Sequence, residues 1–149
     1  MKRFFIFIFV ILSLQACTKK NIYSEFQSFK DAKWDKDSVC HFKVDIKDTL
    51  SFHNIYVGIR NNNQYSYQNI WLFIDLKTPQ GSVRHDTLKC DLADSFGKWY
   101  GKGIGLYQLD IAYEDSIIFP RKGIYTFSIK QGMRDNLLNG ISEIGIKIK

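Results

Sequence analysis

The chain has 149 residues, 45% of them hydrophobic and 24% charged, with 21 Lys and Arg against 15 Asp and Glu. That composition is ordinary for a globular domain, and only two prolines occur, which argues against a disordered chain. The basic excess is mild and spread out, with pairs only at Lys19-Lys20 and Arg121-Lys122, so nucleic-acid binding finds no support.

The first element is a leader. Lys2-Arg3 precedes nine apolar residues, Phe4 to Leu12, and then Leu14-Gln15-Ala16-Cys17. A basic start, a short apolar run and a small residue before the cut make residues 1–16 a secretory signal peptide. As a helix, nine residues span only about 14 Å of a roughly 30 Å hydrocarbon core, too short for a stable membrane anchor. A cysteine directly after Leu-x-Ala resembles the lipobox of bacterial lipoproteins, in which that cysteine is acylated through sulfur and becomes the first mature residue. Gln15 stands where a smaller residue is usual. Cys17 is thus the expected lipidation site. The mature chain of 133 residues suits one domain and carries nineteen basic against fifteen acidic residues, a charge of +4.

Residues 17–37 read as a lipidated tether, polar and with aromatics (Tyr23, Phe26, Phe29, Trp34) on no clean period. From Ser38 the period is two. Cys40, Phe42, Val44 and Ile46 alternate with polar residues, and Ile55, Val57 and Ile59 repeat the pattern within Phe52–Arg60. Asn61-Asn62-Asn63-Gln64 is turn chemistry. Ile70–Lys77 is apolar on both faces and predicts a central or covered strand, ended by Pro79-Gln80-Gly81. Val83–Leu92 predicts another strand, followed by the glycine-rich Gly97–Gly105 and by strand material from Leu106 to Phe119. Tyr125, Phe127 and Ile129 alternate again. Met133–Asn139 is the one helical segment, with Met133, Leu137 and Ile141 four residues apart and Gly140 as its stop. Ile144, Ile146 and Ile148 close the chain. Seven or eight strands without long intervening helices predict an all-β fold over residues 38–149. The expected form is an antiparallel two-sheet β-sandwich, jelly-roll or immunoglobulin-like, with one short helix before the last strand.

With Cys17 lipidated, Cys40 and Cys90 remain, both on apolar strand faces. Export permits them to form a disulfide, and two separate buried thiols are the alternative.

No catalytic constellation is readable, and no cofactor or metal is expected. His41, His53 and His85 stand apart, carboxylates are scattered, and no Gly-x-Ser-x-Gly turn occurs. Gly101-Lys102-Gly103-Ile104-Gly105 lacks the Ser or Thr and the helix of a phosphate loop, and reads as a bulge or a close backbone approach. Aromatics beside amides are more suggestive. Tyr65 and Tyr67 follow Asn62 and Asn63, and Trp99 lies in the glycine-rich stretch. Such side chains stack on sugars, anchor a protein partner, or simply cap the core. Extended backbone would put Tyr65 and Tyr67 on one side as a platform. Arg134 is a further candidate interface anchor, unless it pairs with Asp135 or Glu143, and Asn62 or Asn63 is open to the alternative of capping the turn.

Several blocks in succession resemble one family, the gliding-motility-associated lipoproteins of type H (GldH-like) of Bacteroidota. They are Ile59–Ile70; Asp86-Thr87-Leu88 with Leu92-Ala93-Asp94; Gly97–Gly103; Gly123–Phe127; Gln131-Gly132-Met133-Arg134; and Gly140–Gly145. Ser66 stands where the family tends to have proline, and Gly132 where alanine is usual. The resemblance implies an outer-membrane lipoprotein, not an enzyme, held by its lipid and contacting other envelope proteins of the gliding machinery, which is tied to type IX secretion. Only Cys17 carries over as a functional position. Thr18-Lys19-Lys20-Asn21 lacks the acidic residues associated with surface export in Bacteroidota, so a periplasm-facing domain is expected. The alternative function is a glycan-binding envelope lipoprotein using Tyr65, Tyr67 and Trp99.

Overall fold

Alternating burial builds two four-stranded antiparallel sheets in a computed structural model that describes residues 21–149. The expected signal peptide of residues 1–16 and Cys17 lie outside the described residues. The strands are β1 (Tyr23–Ser28), β2 (Lys33–Asp35), β3 (Cys40–Ile46), β4 (His53–Asn62) and β5 (Asn69–Lys77). They continue with β6 (Val83–Asp91), β7 (Leu106–Ile117), β8 (Gly123–Gln131), β9 (Leu137–Asn139) and β10 (Ile141–Ile148). One sheet has the order β1-β10-β4-β7 and the other β3-β8-β5-β6, while β2 and β9 form a two-stranded ribbon.

The core lies between the two sheets. Ile55, Val57 and Ile59 of β4 and Ile144, Ile146 and Ile148 of β10 face Phe42, Val44, Leu72, Ile74, Phe127 and Ile129, all essentially inaccessible to water. Polar clasps close both long edges. The Gln27 amide donates to the His41 carbonyl at 2.7 Å between β1 and β3. On β6, Arg84 donates to its neighbour Asp86 at 2.7 Å, and it crosses to β7 to donate to the Tyr113 hydroxyl at 3.0 Å and to reach Glu114. Burial pushes the Tyr113 phenol up to about 12, and its hydrogen bond to Asp86 adds to the rise.

Residues 23–35 are not a tether. β1 pairs along its whole length with β10, and β2 pairs with β9. Their aromatics show no period because β1 is an edge strand and each ring is held differently. Phe26 lies on Gly58 and Gly145, where a Cβ would come within 2.5 Å and 2.7 Å of its ring, and the Arg60 guanidinium covers it at 4.2 Å. Trp34 is fully buried, stacks on Phe29 at 4.7 Å and donates to the Ser38 carbonyl at 3.1 Å.

Nor is there a helix at Met133–Asn139. The buried Gln131 amide accepts from the Met133 N–H at 2.9 Å and donates to the Asp135 carbonyl at 2.8 Å, using the backbone groups a helix would need. Leu137–Asn139 then pairs as β9. Gly140 is not a helix stop. Its φ of +87° and a virtual Cβ 2.1 Å from the Tyr65 nitrogen show a tight backbone approach that only glycine permits.

Cys40 and Cys90 are free and buried. β3 and β6 are opposite edges of one sheet, so three interstrand spacings, about 14 Å, separate them, well beyond the roughly 7 Å limit for a disulfide. Burial pushes the Cys40 thiol up to about 11 and the Cys90 thiol up to about 12, keeping both protonated and inert.

The sandwich has two distinct ends. At the near end the chain enters β1 and leaves β10, beside the 47–52, 78–82 and 118–122 connections. At the far end lie the 63–68, 92–105 and 132–136 segments and the β2–β9 ribbon.

Candidate functional site

The far end gathers most of the sequence-derived candidates. Asn62 caps the turn after β4, its Oδ1 accepting from the Gln64 N–H at 2.9 Å and its carbonyl accepting from the Tyr65 N–H at 3.2 Å. Asn63 Oδ1 accepts from Trp99 Nε1 at 3.0 Å, tying the 92–105 segment to that turn. Tyr65 is 4% exposed and donates to the Asn69 carbonyl at 2.8 Å. Its phenol is held above the usual range, first by burial. Tyr65 therefore builds the fold. Tyr67 is 38% exposed, sits 5.8 Å from the Tyr65 ring at 67°, and donates to Asp135 at 2.6 Å. The two rings meet edge to face, with one inside and one outside, so they do not form the expected flat platform. Trp99 tilts between Tyr65 at 6.5 Å and Tyr107 at 6.1 Å.

Arg134 joins Tyr67 across a groove of about 320 Å³, lined also by Asn69, Trp71, Gly132 and Met133. It pairs with neither suggested carboxylate. Asp135 accepts from Tyr67, and Glu143 holds Arg60 on the opposite sheet. The Gln131 contacts shape the 132–136 loop, and the Trp71 N–H donates to Met133 Sδ at 3.4 Å.

Trp71 is the functional candidate that sequence reasoning missed. β5 is a central strand, as its two apolar faces predict, but none of the described residues forms an element over its outer face. Trp71 and Phe73 each remain 40% exposed there. Beyond them Lys130 lies over Phe73 at 5.7 Å, and Asp75 contacts His85 at 2.6 Å. The signal was present: apolar residues on both faces of a strand, in a sequence that predicts no long helices between its strands.

The glycine-rich stretch folds back on β7. Lys102 and Gln108 exchange both backbone hydrogen bonds at 2.9 Å, and a Cβ on Gly103 would sit 1.9 Å from the Leu106 carbonyl oxygen. This is close backbone packing. Among the described residues, no group of three or more His, Cys, Asp or Glu is placed to hold a metal ion.

Comparison with known proteins adds one consistent result. The sequence model described as GldH lipoprotein matches residues 21–148. The chain is 37% identical over 153 residues to a protein of Christiangramia forsetii named gliding motility lipoprotein GldH homolog, covering 97% of this chain and 93% of that one. It is 31% identical over 152 residues to gliding motility lipoprotein GldH of Flavobacterium johnsoniae, covering 97% and 94%. A chain from the structure of infectious bursal disease virus Gx strain superposes on 87% of this chain and 30% of its own, at 14% identity and a TM-score of 0.34, too low to carry an argument.

Proposed function

Since this chain belongs to the GldH lipoprotein family, we propose that it is a non-catalytic outer-membrane lipoprotein. It is anchored through lipid on Cys17, faces the periplasm, and docks an envelope protein of the gliding and type IX secretion machinery. The observation that carries this reading is the groove between Tyr67, Trp71, Met133 and Arg134, at the end of the sandwich opposite the chain's entry. Tyr, Trp and Arg are the residues that most often anchor protein interfaces. The Tyr67 hydroxyl, the polar tip a sugar would use, is already bonded to Asp135, and the exposed row continues into Phe73, which has no polar tip.

A crosslinker at the exposed position 66, beside Tyr67, should capture envelope proteins in living cells. Arg134→Glu and Trp71→Ala should each reduce that recovery without loss of the folded protein. Full recovery in both variants would remove the groove from the interface. Labelling of the wild type with lipid, and none of Cys17→Ser, checks the anchor. Protease added to intact cells should leave the domain uncut if it faces the periplasm.

The glycan reading keeps one supporting observation, the exposed Tyr67 and Trp71 rings beside the Asn69 amide. Tryptophan fluorescence that shifts on adding cell-wall oligosaccharides, and does not shift in Trp71→Ala, would favour it over a protein partner.

A further inference from the structure

The near end exposes apolar side chains that nothing in the fold requires. Leu50 is 87% exposed and Phe52 70%, both in the β3–β4 connection, and Ile118 and Ile22 are 45% and 52% exposed at the same end. The turn that presents Leu50 is firm. Asp48 Oδ1 accepts from the Leu50 N–H at 2.9 Å and the Ser51 N–H at 3.1 Å. Beside Ile118 a cavity of about 290 Å³, lined by Leu76, Ile117, Phe119, Pro120 and Tyr125 among others, extends the apolar surface inward.

Two observations name what covers these tips. The first is chain length. Ile22 is five residues beyond Cys17, so even fully extended chain lets this end stand no more than about 18 Å from the lipidated cysteine. The second is charge. The three near-end connections with Lys77 and Lys149 carry five basic residues, the others being Lys47, Arg121 and Lys122, against Asp48, with Asp45 paired to Lys47 at 3.7 Å. All five are exposed. Isolated apolar tips ringed by cations suit the boundary between acyl chains and anionic headgroups.

We propose that the near end seats on the bilayer, with Leu50 and Phe52 entering the headgroup boundary and the surrounding cations meeting lipid phosphates. The lipid then does more than tether the domain. It orients the sandwich upright, with the Tyr67–Arg134 groove held away from the membrane. The proposal rests on the reading of Cys17 as lipidated, and its test separates the two.

The protein extracted in detergent from cell envelopes, as the cell processes it, is reconstituted into vesicles of phosphatidylethanolamine with a minority of phosphatidylglycerol, brominated on the acyl chains near the headgroup. Flotation of the parent protein with the vesicles reads the anchor. Quenching of a Leu50→Trp probe, measured above the parent signal of Trp34, Trp71 and Trp99, reads the seat. A Phe96→Trp probe, in the far-end loop and 96% exposed in the parent, is the control. The expected result is flotation, loss of most of the Leu50→Trp emission, and no loss from Phe96→Trp. Flotation with the Leu50→Trp probe unquenched, or with both probes quenched alike, overturns the seat while the anchor stands. Quenching at position 50 without flotation of the parent keeps the seat and overturns the anchor, and neither signal overturns both.

Discussion

The two ends of the sandwich are both made of connections between strands, and both leave apolar tips in water, Leu50 and Phe52 at the near end and Phe96 and Ile104 at the far end, yet they differ in what lies behind those tips and in charge. At the far end Tyr65 and Trp34 are drawn inside, each with its polar atom bonded to a backbone carbonyl, and Trp99 is tied to Asn63. At the near end Leu50 and Phe52 are held out in water. Charge separates the two ends more cleanly. Segments 29–39, 63–68, 92–105 and 132–136 carry six basic and five acidic residues, whereas the near end is strongly basic. The far end is thus a built structure with a groove in it, and the near end is a surface whose exposed residues contribute little to folding. The contrast teaches that exposure of an aromatic or aliphatic side chain carries functional meaning only after its role in the fold has been subtracted.

The comparison predicts very different responses to substitution. Trp34→Ala should have the largest effect, roughly 3–5 kcal/mol, because it empties a fully buried site between β2 and the core. Urea denaturation followed by circular dichroism measures it, and a loss below about 1 kcal/mol would show that the β2–β9 ribbon is an appendage. Gly140→Ala should cost about 1–3 kcal/mol, since φ is +87° and the new Cβ would meet the Tyr65 backbone. The same denaturation curve reads it, with weaker amide-exchange protection expected in residues 63–68 and 137–141. Tyr65→Phe should lose about 1 kcal/mol by leaving the Asn69 carbonyl without its donor.

At the near end, Leu50→Ser and Phe52→Ser should each move stability by no more than about 0.5 kcal/mol, because neither side chain is buried. A larger loss would mean that these residues pack in the folded protein and the contrast fails. The smallest effect concerns pH. Hydrogen bonds from the Ser51 hydroxyl and from the Leu50 and Ser51 amides hold the Asp48 carboxyl at about 2, below its ordinary 3.8. A carboxyl lowered on folding supports its turn above its unfolded value and loses that support as pH falls through the folded one. Protection of the Leu50 and Ser51 amides, measured relative to the intrinsic exchange rate at each pH, should therefore hold at neutral pH and fall only between about pH 4 and 2. Unchanged protection below pH 2 would mean the turn does not depend on the ionised carboxylate.

The sequence by itself determined the class of fold and the principal strands, because a sheet buried on one face writes period two into the chain. Cys40–Ile46, Ile55–Ile59 and Tyr125–Ile129 are buried on the faces their alternation predicts. It also carried the family, through blocks of residues spread over most of the domain. Tertiary structure alone decided the rest. The edge strand β1 and the short ribbon β2–β9 leave no period, since β1 buries only part of a face and β2 is three residues long. Four-residue spacing at Met133, Leu137 and Ile141 imitated a helix, but the Gln131 side chain, which no local pattern reveals, captures that backbone. Cys40 and Cys90 looked equivalent in sequence, yet strand order puts them on opposite edges of one sheet. At the far end, Tyr65 and Tyr67 differ by two positions and have opposite fates, because burial of a ring depends on what the fold brings against it, and those neighbours, Trp99 and Asp135, come from distant parts of the chain.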